Sequence, residues 1–306
     1  MLEIFYHPIY TNGISKDSKF PRERYQLIFE SISKSSKNHN IKFRTPEKIK
    51  IDDVYRVHQK KYVDDFIDGS LTESQQRKIG LRPWTPQIVD RTLYIMGGSV
   101  SALKSAIQNG ASGNLAGGTH HAYYDFGSGY CIFNDLAICA NYCLRNFTDF
   151  KNILIVDLDV HQGDGTAALL KNEDSVYTFS MHCDSNFPLK KQQSDLDIAL
   201  KRDLGDQAYL KKLASTLEKL EEEETDIVFF QAGVDSLTFD SLGHLNLSHE
   251  GIKKRNELVF NFCRKQNIPI VVFMGGGYSN PIDHTVNAIS ELFYQCRDFT
   301  EQLQTT

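Results

Sequence analysis

No Cys-x-x-Cys pair occurs among the six cysteines, Cys131, Cys139, Cys143, Cys183, Cys263 and Cys296. A dithiol redox motif is thereby excluded, and the thiols read as the reduced cysteines of a cytoplasmic protein. Cys139 and Cys143 stand four apart, the spacing of packed neighbours on one helix face. The start, Met1-Leu-Glu-Ile-Phe-Tyr6, has neither a basic segment nor a long apolar one, so no secretory signal is read there. No apolar run approaches the length of a membrane span. The net charge of -5 leaves no basic footprint for direct nucleic-acid binding. The pair Lys190-Lys191 is too short to form a basic patch and is expected to be solvated, as is the helix end at Glu221-Glu-Glu-Glu224. Internal repeats and low-complexity segments are also missing.

What the chain does have is a hydrophobic fraction of 41% over 306 residues. That supports one large α/β domain spanning 1–306. Strands are expected at Leu2 to Tyr6, Ile41 to Phe43, Asn114 to Ala116, Ile153 to Asp157, Val176 to Ser180, Ile227 to Gln231 and Ile270 to Met274. Helices are expected at Arg22 to Ser33, Ile51 to Ile67, Pro86 to Asn109, Phe133 to Asn146, Gln207 to Glu224, Ser248 to Gln266 and Asp283 to Arg297. Such alternation implies a mostly parallel central sheet covered on both faces, a three-layer α/β/α architecture. The stretch Asp184 to Leu204 has no clear period and is expected to be a long functional loop.

Chemistry gathers where the apolar strands end. Ile153 to Val156 runs into Asp157-Leu-Asp159-Val-His161-Gln-Gly-Asp164-Gly165. Asp159 and His161 are two apart, so on extended chain both side chains leave by one face, and Asp157 shares that parity. A carboxylate and an imidazole converging there suit a borderline metal such as zinc. Gly163 and Gly165 are expected to open a loop. Three further strand ends resemble this one. Leu115-Ala-Gly-Gly-Thr-His120-His121-Ala122 carries adjacent histidines, which could equally be a surface pair. Asp226-Ile-Val-Phe-Phe-Gln-Ala-Gly-Val-Asp235 ends in an acid, which could equally be a helix cap. Ile270-Val-Val-Phe-Met-Gly-Gly-Gly-Tyr278 ends in three glycines and a tyrosine. Together they gather at the carboxyl ends of strands, where ligands of open parallel sheets bind.

These motifs resemble those of the zinc-dependent histone deacetylase family, of the arginase/deacetylase fold. The matching stretches are Gly117-Gly-Thr-His-His-Ala122, Gly129-Tyr-Cys-Ile-Phe-Asn-Asp135, Asp157 to Gly165, Gln231-Ala-Gly-Val-Asp235, Asp240-Ser-Leu-Gly-His-Leu-Asn-Leu247 and Gly275-Gly-Gly-Tyr278. They extend the resemblance over nearly the whole chain, from His7-Pro8 to the last helix. Gly80-Leu-Arg-Pro-Trp84 and the Ser194-Asp-Leu-Asp-Ile198 loop look most like the bacterial and class IV branch.

The resemblance implies one zinc held by Asp159, His161 and Asp235, with an open position of the catalytic kind. It implies that His120 and His121 serve as general base and acid, oriented by Asp157 and Asp164 respectively, and that Tyr278 stabilises the oxyanion. Gly129, Tyr130, Phe187 and Leu242 would line an acyl-lysine channel. A potassium ion would sit nearby, on carbonyls around Asp157, Asp159 and His161 and on the Ser180 hydroxyl. Three departures stand out. Arg82-Pro-Trp84 offers no acid where class I members place one to hold the substrate backbone. Asp164 is retained where many bacterial relatives have Asn. Leu200-Lys-Arg-Asp-Leu-Gly205 lacks a proline common in bacterial relatives. The expected activity is a zinc-dependent deacylase of acyl-lysine, acetyl or longer. An acetylpolyamine or other small-amide hydrolase of the same fold is the alternative, with a binuclear manganese ureohydrolase a poorer version of it. A non-catalytic acyl-lysine reader would have no use for the histidine pair.

Overall fold

The computed structural model describes residues 1–303, so 304–306 of the expected domain lie outside the described residues. Eight strands, β1 (Leu2–Phe5), β2 (Ile41–Arg44), β3 (Ala111–Asn114), β4 (Ile153–Asp157), β5 (Val176–Cys183), β6 (Leu196–Leu200), β7 (Ile227–Gln231) and β8 (Ile270–Phe273), form one sheet. Their order is β2-β1-β3-β8-β7-β4-β5-β6, and every pairing is parallel. Central strands β4, β7 and β8 are buried along their whole length, as runs such as Ile-Leu-Ile-Val require when both faces are covered.

Helices cover the sheet in two groups. In the first, α6 (Ile88–Asn109) lies against β1, β3 and β8 and packs with α7 (Asp135–Asn146), which meets α8 (Asp164–Leu170). In the second, α9 (Asp206–Leu220), α10 (His249–Gln266) and α11 (Asp283–Leu303) pack in series, and α2 (Arg24–Lys34) joins α11. Short helices α1 (Ile9–Asn12), α3 (Ile51–Tyr55), α4 (Lys60–Ile67) and α5 (Glu73–Ile79) complete the three-layer arrangement. The chain leaves the sheet after β3 and re-enters at β4, three positions away, leaving room for two strands between them. β7 and β8 later fill that gap. The carboxyl ends of β3, β8, β7 and β4 therefore lie side by side, and they carry the four motifs read from the sequence.

Four local expectations are corrected. The strand expected at Asn114 to Ala116 is β3, Ala111–Asn114, whose small residues carry no apolar run to announce it, and Leu115 and Ala116 lie beyond its end. The stretch Ile51 to Ile67 is two helices, because the chain between them turns aside to bond a neighbouring loop. Gln59 N donates to Tyr124 O at 2.7 Å, and His58 Nδ1 donates to Tyr123 O at 2.8 Å. The long segment Asp184 to Leu204 contains a strand: β6 pairs with β5 from Phe179↔Leu196 to Cys183↔Leu200, so the Ser194–Ile198 stretch is only partly loop. Its alternating burial fits an edge strand whose period was obscured by Asp195 and Asp197. The stretch after Asp164 is helix α8, in which Gly165 sits in the first turn and Ala167 and Leu170 are buried.

His58 gives a pH prediction. Its Nε2 accepts from Asn134 N at 2.9 Å while Nδ1–H donates to Tyr123, so only the neutral ring satisfies both. Burial lowers its pKa to about 4 from the ordinary 6.5. A depressed histidine contributes stability that is present above the unfolded value and is lost as pH falls from 6.5 through about 4. Linkage gives a loss of about 2 kcal/mol by pH 5 from this residue. Urea unfolding at pH 7 and pH 5 should therefore find a shallower drop in His58→Phe, by that amount. Equal drops in both proteins would contradict the assignment.

Candidate active site

The end of β4 supplies Asp157, the loop after it supplies Asp159 and His161, and the loop after β7 supplies Asp235. Asp159, His161 and Asp235 are buried, and their ligand atoms all lie within 4.8 Å of one another. His161 Nδ1 is 3.1 Å from Asp159 Oδ1 and 3.1 Å from Asp235 Oδ2. The remaining carboxylate oxygens are held by backbone: Gly276 N donates to Asp159 Oδ2 at 2.8 Å and Val160 N to Asp235 Oδ1 at 2.9 Å. A methyl at Gly276 would overlap Asp235 Oδ2, so the third glycine loop must approach the carboxylates as bare backbone.

This donor set fits a metal. Burial and the charge of Asp159 push Asp235 up to about 7. Asp159 is held well below the carboxylate range, its burial outweighed by His120 and His161. Two buried carboxylates sharing one imidazole are a cation short, and one nitrogen with two oxygens suits zinc.

Beside the triad, the loop after β3 carries the two histidines, their ring centroids 4.1 Å apart. His120 Nδ1 donates to Asp157 Oδ2 at 2.8 Å, and His121 Nδ1 donates to Asp164 Oδ1 at 2.6 Å. These bonds leave both Nε2 atoms without a hydrogen bond among the described residues, His120 Nε2 standing 3.8 Å from Asp159 Oδ1. The environments diverge. Burial opposes charge on His120, but Asp157 and Asp159 outweigh it and raise the ring to about 9. Burial and the neighbouring His120 lower His121 to about 4. Pairs of groups pushed apart in this way are the mark of acid–base sites.

A channel of about 240 Å³ leads to these groups, lined by His121, Gly129, Tyr130, His161, Phe187, Leu242 and Tyr278, with Asn186 and His244. Phe187 stands edge-on to His121 at 4.9 Å. Tyr130 faces Tyr278 at 5.9 Å and holds φ of 67°, a left-handed conformation rare for an aromatic residue, fixed by its N–H donating to Ile79 O at 2.7 Å. Past the histidines lies a further space of about 50 Å³, bordered by Arg24, Tyr25, Arg91 and Cys131. Ser180 pairs with Asp157 across β4 and β5, and its hydroxyl meets His182 Nδ1 at 3.0 Å. Arg82 and Trp84 lie away from the channel: Arg82 pairs with Glu73 at 3.1 Å and Trp84 packs on Phe66.

Several contributors were not read from the sequence. Arg24 is buried, and its guanidinium donates to Gly277 O at 3.0 Å and Gly275 O at 3.2 Å. Arg255, also buried, donates to Ala232 O at 3.1 Å and to Gly233 O. The two arginines brace the turns before Tyr278 and Asp235. A signal existed: Arg24 shares a helical stripe with Ile28 and Ile32, and Arg255 sits between Ile252 and Val259, each a cation on an apolar face. Tyr123 donates its hydroxyl to Asp164 Oδ2 at 3.0 Å, and nothing in its local pattern announced that. Of the pair expected to be solvated, Lys190 is exposed but Lys191 is half-buried; its ammonium donates to three backbone carbonyls of the segment that carries Phe187.

Fold and site together define a hydrolase of the arginase/deacetylase superfamily. The chain matches the histone deacetylase domain over residues 18–293. It is 40% identical over 296 residues to an uncharacterized protein of Picosynechococcus sp., covering 96% of this chain and 98% of that one. Histone deacetylase 2 of Arabidopsis thaliana is 30% identical over 236 residues, 74% of this chain and 60% of that protein. Acetoin utilization protein AcuC of Staphylococcus aureus is 27% identical over 253 residues, 74% of this chain and 64% of that protein. This chain thus spans about three fifths of the length of the latter two. It belongs to the histone deacetylase family and is an enzyme of that hydrolase class. Among the described residues, no helix is long and apolar enough to cross a membrane.

Proposed function

We propose that the protein is a zinc-dependent lysine deacylase that hydrolyses the amide of acetyl-lysine in proteins or peptides. The observation that carries this reading is the convergence of a buried Asp–His–Asp group, a carboxylate-oriented histidine pair and Tyr278 at the foot of one narrow channel. One zinc on Asp159, His161 and Asp235 would supply Lewis-acid polarisation of the amide carbonyl and acidification of water. In this reading the roles expected from the resemblance are exchanged: His121, neutral and opening onto the channel, takes the proton from the attacking water. Asp164 fixes its Nδ1–H, so that Nε2 is the accepting atom. His120, drawn toward its charged form by Asp157, supplies positive charge and a proton for the departing amine. Tyr278, in both the channel wall and the space beneath, donates its hydroxyl to the developing oxyanion. A potassium ion on the carbonyls near Asp157, Asp159 and His161 and on Ser180 would stiffen the β4 end.

The channel volume falls below the roughly 300–1,000 Å³ of ordinary small-molecule pockets. A narrow apolar passage suits a methylene stem in extended form. Space of about 50 Å³ beyond the histidines favours acetyl over longer acyl groups. No acidic side chain lines the channel among the described residues, so a polycationic acetylpolyamine finds no counter-charge there.

Affinity then comes from the stem and not from the flanking peptide. Phe187→Ala is expected to raise KM about tenfold with kcat little changed, since it removes roughly 50 Å² of apolar contact at about 25 cal/mol per Å². The test is kcat/KM across acetyl-lysine peptides of varied flanking sequence, longer acyl-lysines and acetylpolyamines. The reading expects acetyl-lysine peptides to be favoured with weak sequence dependence. Preference for acetylpolyamine, or an unchanged KM in Phe187→Ala, would overturn it.

A further inference from the structure

The channel wall that carries Phe187 stands on a segment with little cover of its own. Phe187 is 41% exposed and Leu189 two residues on is 98% exposed. What folds this segment back on itself is a side chain from beyond it. Lys191 Nζ donates to Asp184 O at 3.1 Å, Asn186 O at 2.7 Å and Pro188 O at 2.6 Å. An ammonium has three N–H donors and no acceptor, so all three are used. The two shorter bonds go to the residues on either side of Phe187. The root of the clamp is fixed too: Gln192 N donates to Gln162 Oε1 at 2.8 Å and Gln162 Nε2 returns a bond to Gln192 O at 2.7 Å. Gln162 directly follows His161. The segment is also tied to the opposite wall, since Asn186 Nδ2 donates to Leu242 O at 2.7 Å and His244 N donates to Asn186 Oδ1 at 2.9 Å. Lysine carries a costly store of rotamer freedom, which charge-assisted bonds to several carbonyls offset.

We propose that Lys191 is a positioning residue that sets the substrate channel: its ammonium holds residues 184–188 in the curve that places Phe187 edge-on to His121. This rests on the reading of the channel as the acyl-lysine site. It makes the wall a charge-held element: loss of one ammonium frees Phe187, and Lys191 itself bonds only backbone carbonyls and no catalytic side chain.

Lys191→Met keeps most of the aliphatic stem and removes the donors. Hydrogen–deuterium exchange of the 184–190 segment should rise in this variant while the rest of the protein stays protected. With an acetyl-lysine peptide, KM should rise roughly tenfold, as for Phe187→Ala, with kcat within about threefold, because a displaced wall weakens binding without disturbing the acid–base groups. In a Phe187→Ala background the same substitution should add less than about twofold, since both changes remove one wall. A folded Lys191→Met protein with unchanged exchange and unchanged KM overturns the proposal. So does a full, independent effect in the Phe187→Ala background. A wild-type protein that hydrolyses no acyl-lysine refutes the functional reading instead, and the exchange comparison then still decides whether the clamp exists.

Discussion

Replacing Asp235 with alanine is expected to abolish zinc retention and turnover together. Asp235 supplies one of three ligand atoms clustered within 4.8 Å, and its loss leaves one carboxylate and one imidazole. Two donors do not make a catalytic zinc site, which needs three and an open position. Lewis-acid assistance is worth several kcal/mol, so the fall in kcat should be at least about a thousandfold. The same substitution strips Val160 N–H of its acceptor, at a cost of about 1–3 kcal/mol of stability. Asp235→Asn retains an oxygen for Val160 and separates the two effects: its stability should stay near that of the wild type while metal affinity drops. Metal content, thermal unfolding and amide hydrolysis measured on both variants decide the matter. A zinc-free Asp235→Ala enzyme with substantial turnover would sink the assignment.

The Tyr278→Phe enzyme should keep its zinc and its fold but lose about 10²–10³ in kcat, the usual consequence of deleting one oxyanion donor. KM should change little, because the bond is strongest in the transition state. The ring is held independently of its hydroxyl. Tyr278 N donates to Asp240 Oδ2 at 2.6 Å, Arg24 lies 5.4 Å from the ring centroid, and Phe20 and Tyr130 border it. The phenylalanine ring should therefore occupy the same place. A variant with near-normal kcat would mean that Tyr278 is only a wall of the channel.

The parallel sheet and the four strand-end motifs were legible because each rests on a local pattern. Ile153 to Val156 and Ile270 to Phe273 are apolar runs that end in glycines and in residues with metal-ligand or acid–base chemistry. The topology then places the four ends on neighbouring strands. What stayed hidden depends on distant partners. His58 breaks a helical period to reach Tyr123, 65 residues on. β6 is an edge strand whose pairing with β5 is visible only in three dimensions. Lys191 resembled a solvated surface lysine because its acceptors are backbone carbonyls, which no side-chain pattern records. The buried Arg24 and Arg255 could have been found, since each interrupts an apolar helical stripe and so needs acceptors inside the protein.

The most direct measurement is hydrolysis of an acetyl-lysine peptide by the purified protein before and after metal removal, followed by titration with zinc. Activity should vanish with the metal and return in full at one equivalent of zinc per chain. Undiminished hydrolysis by the metal-free protein would contradict it.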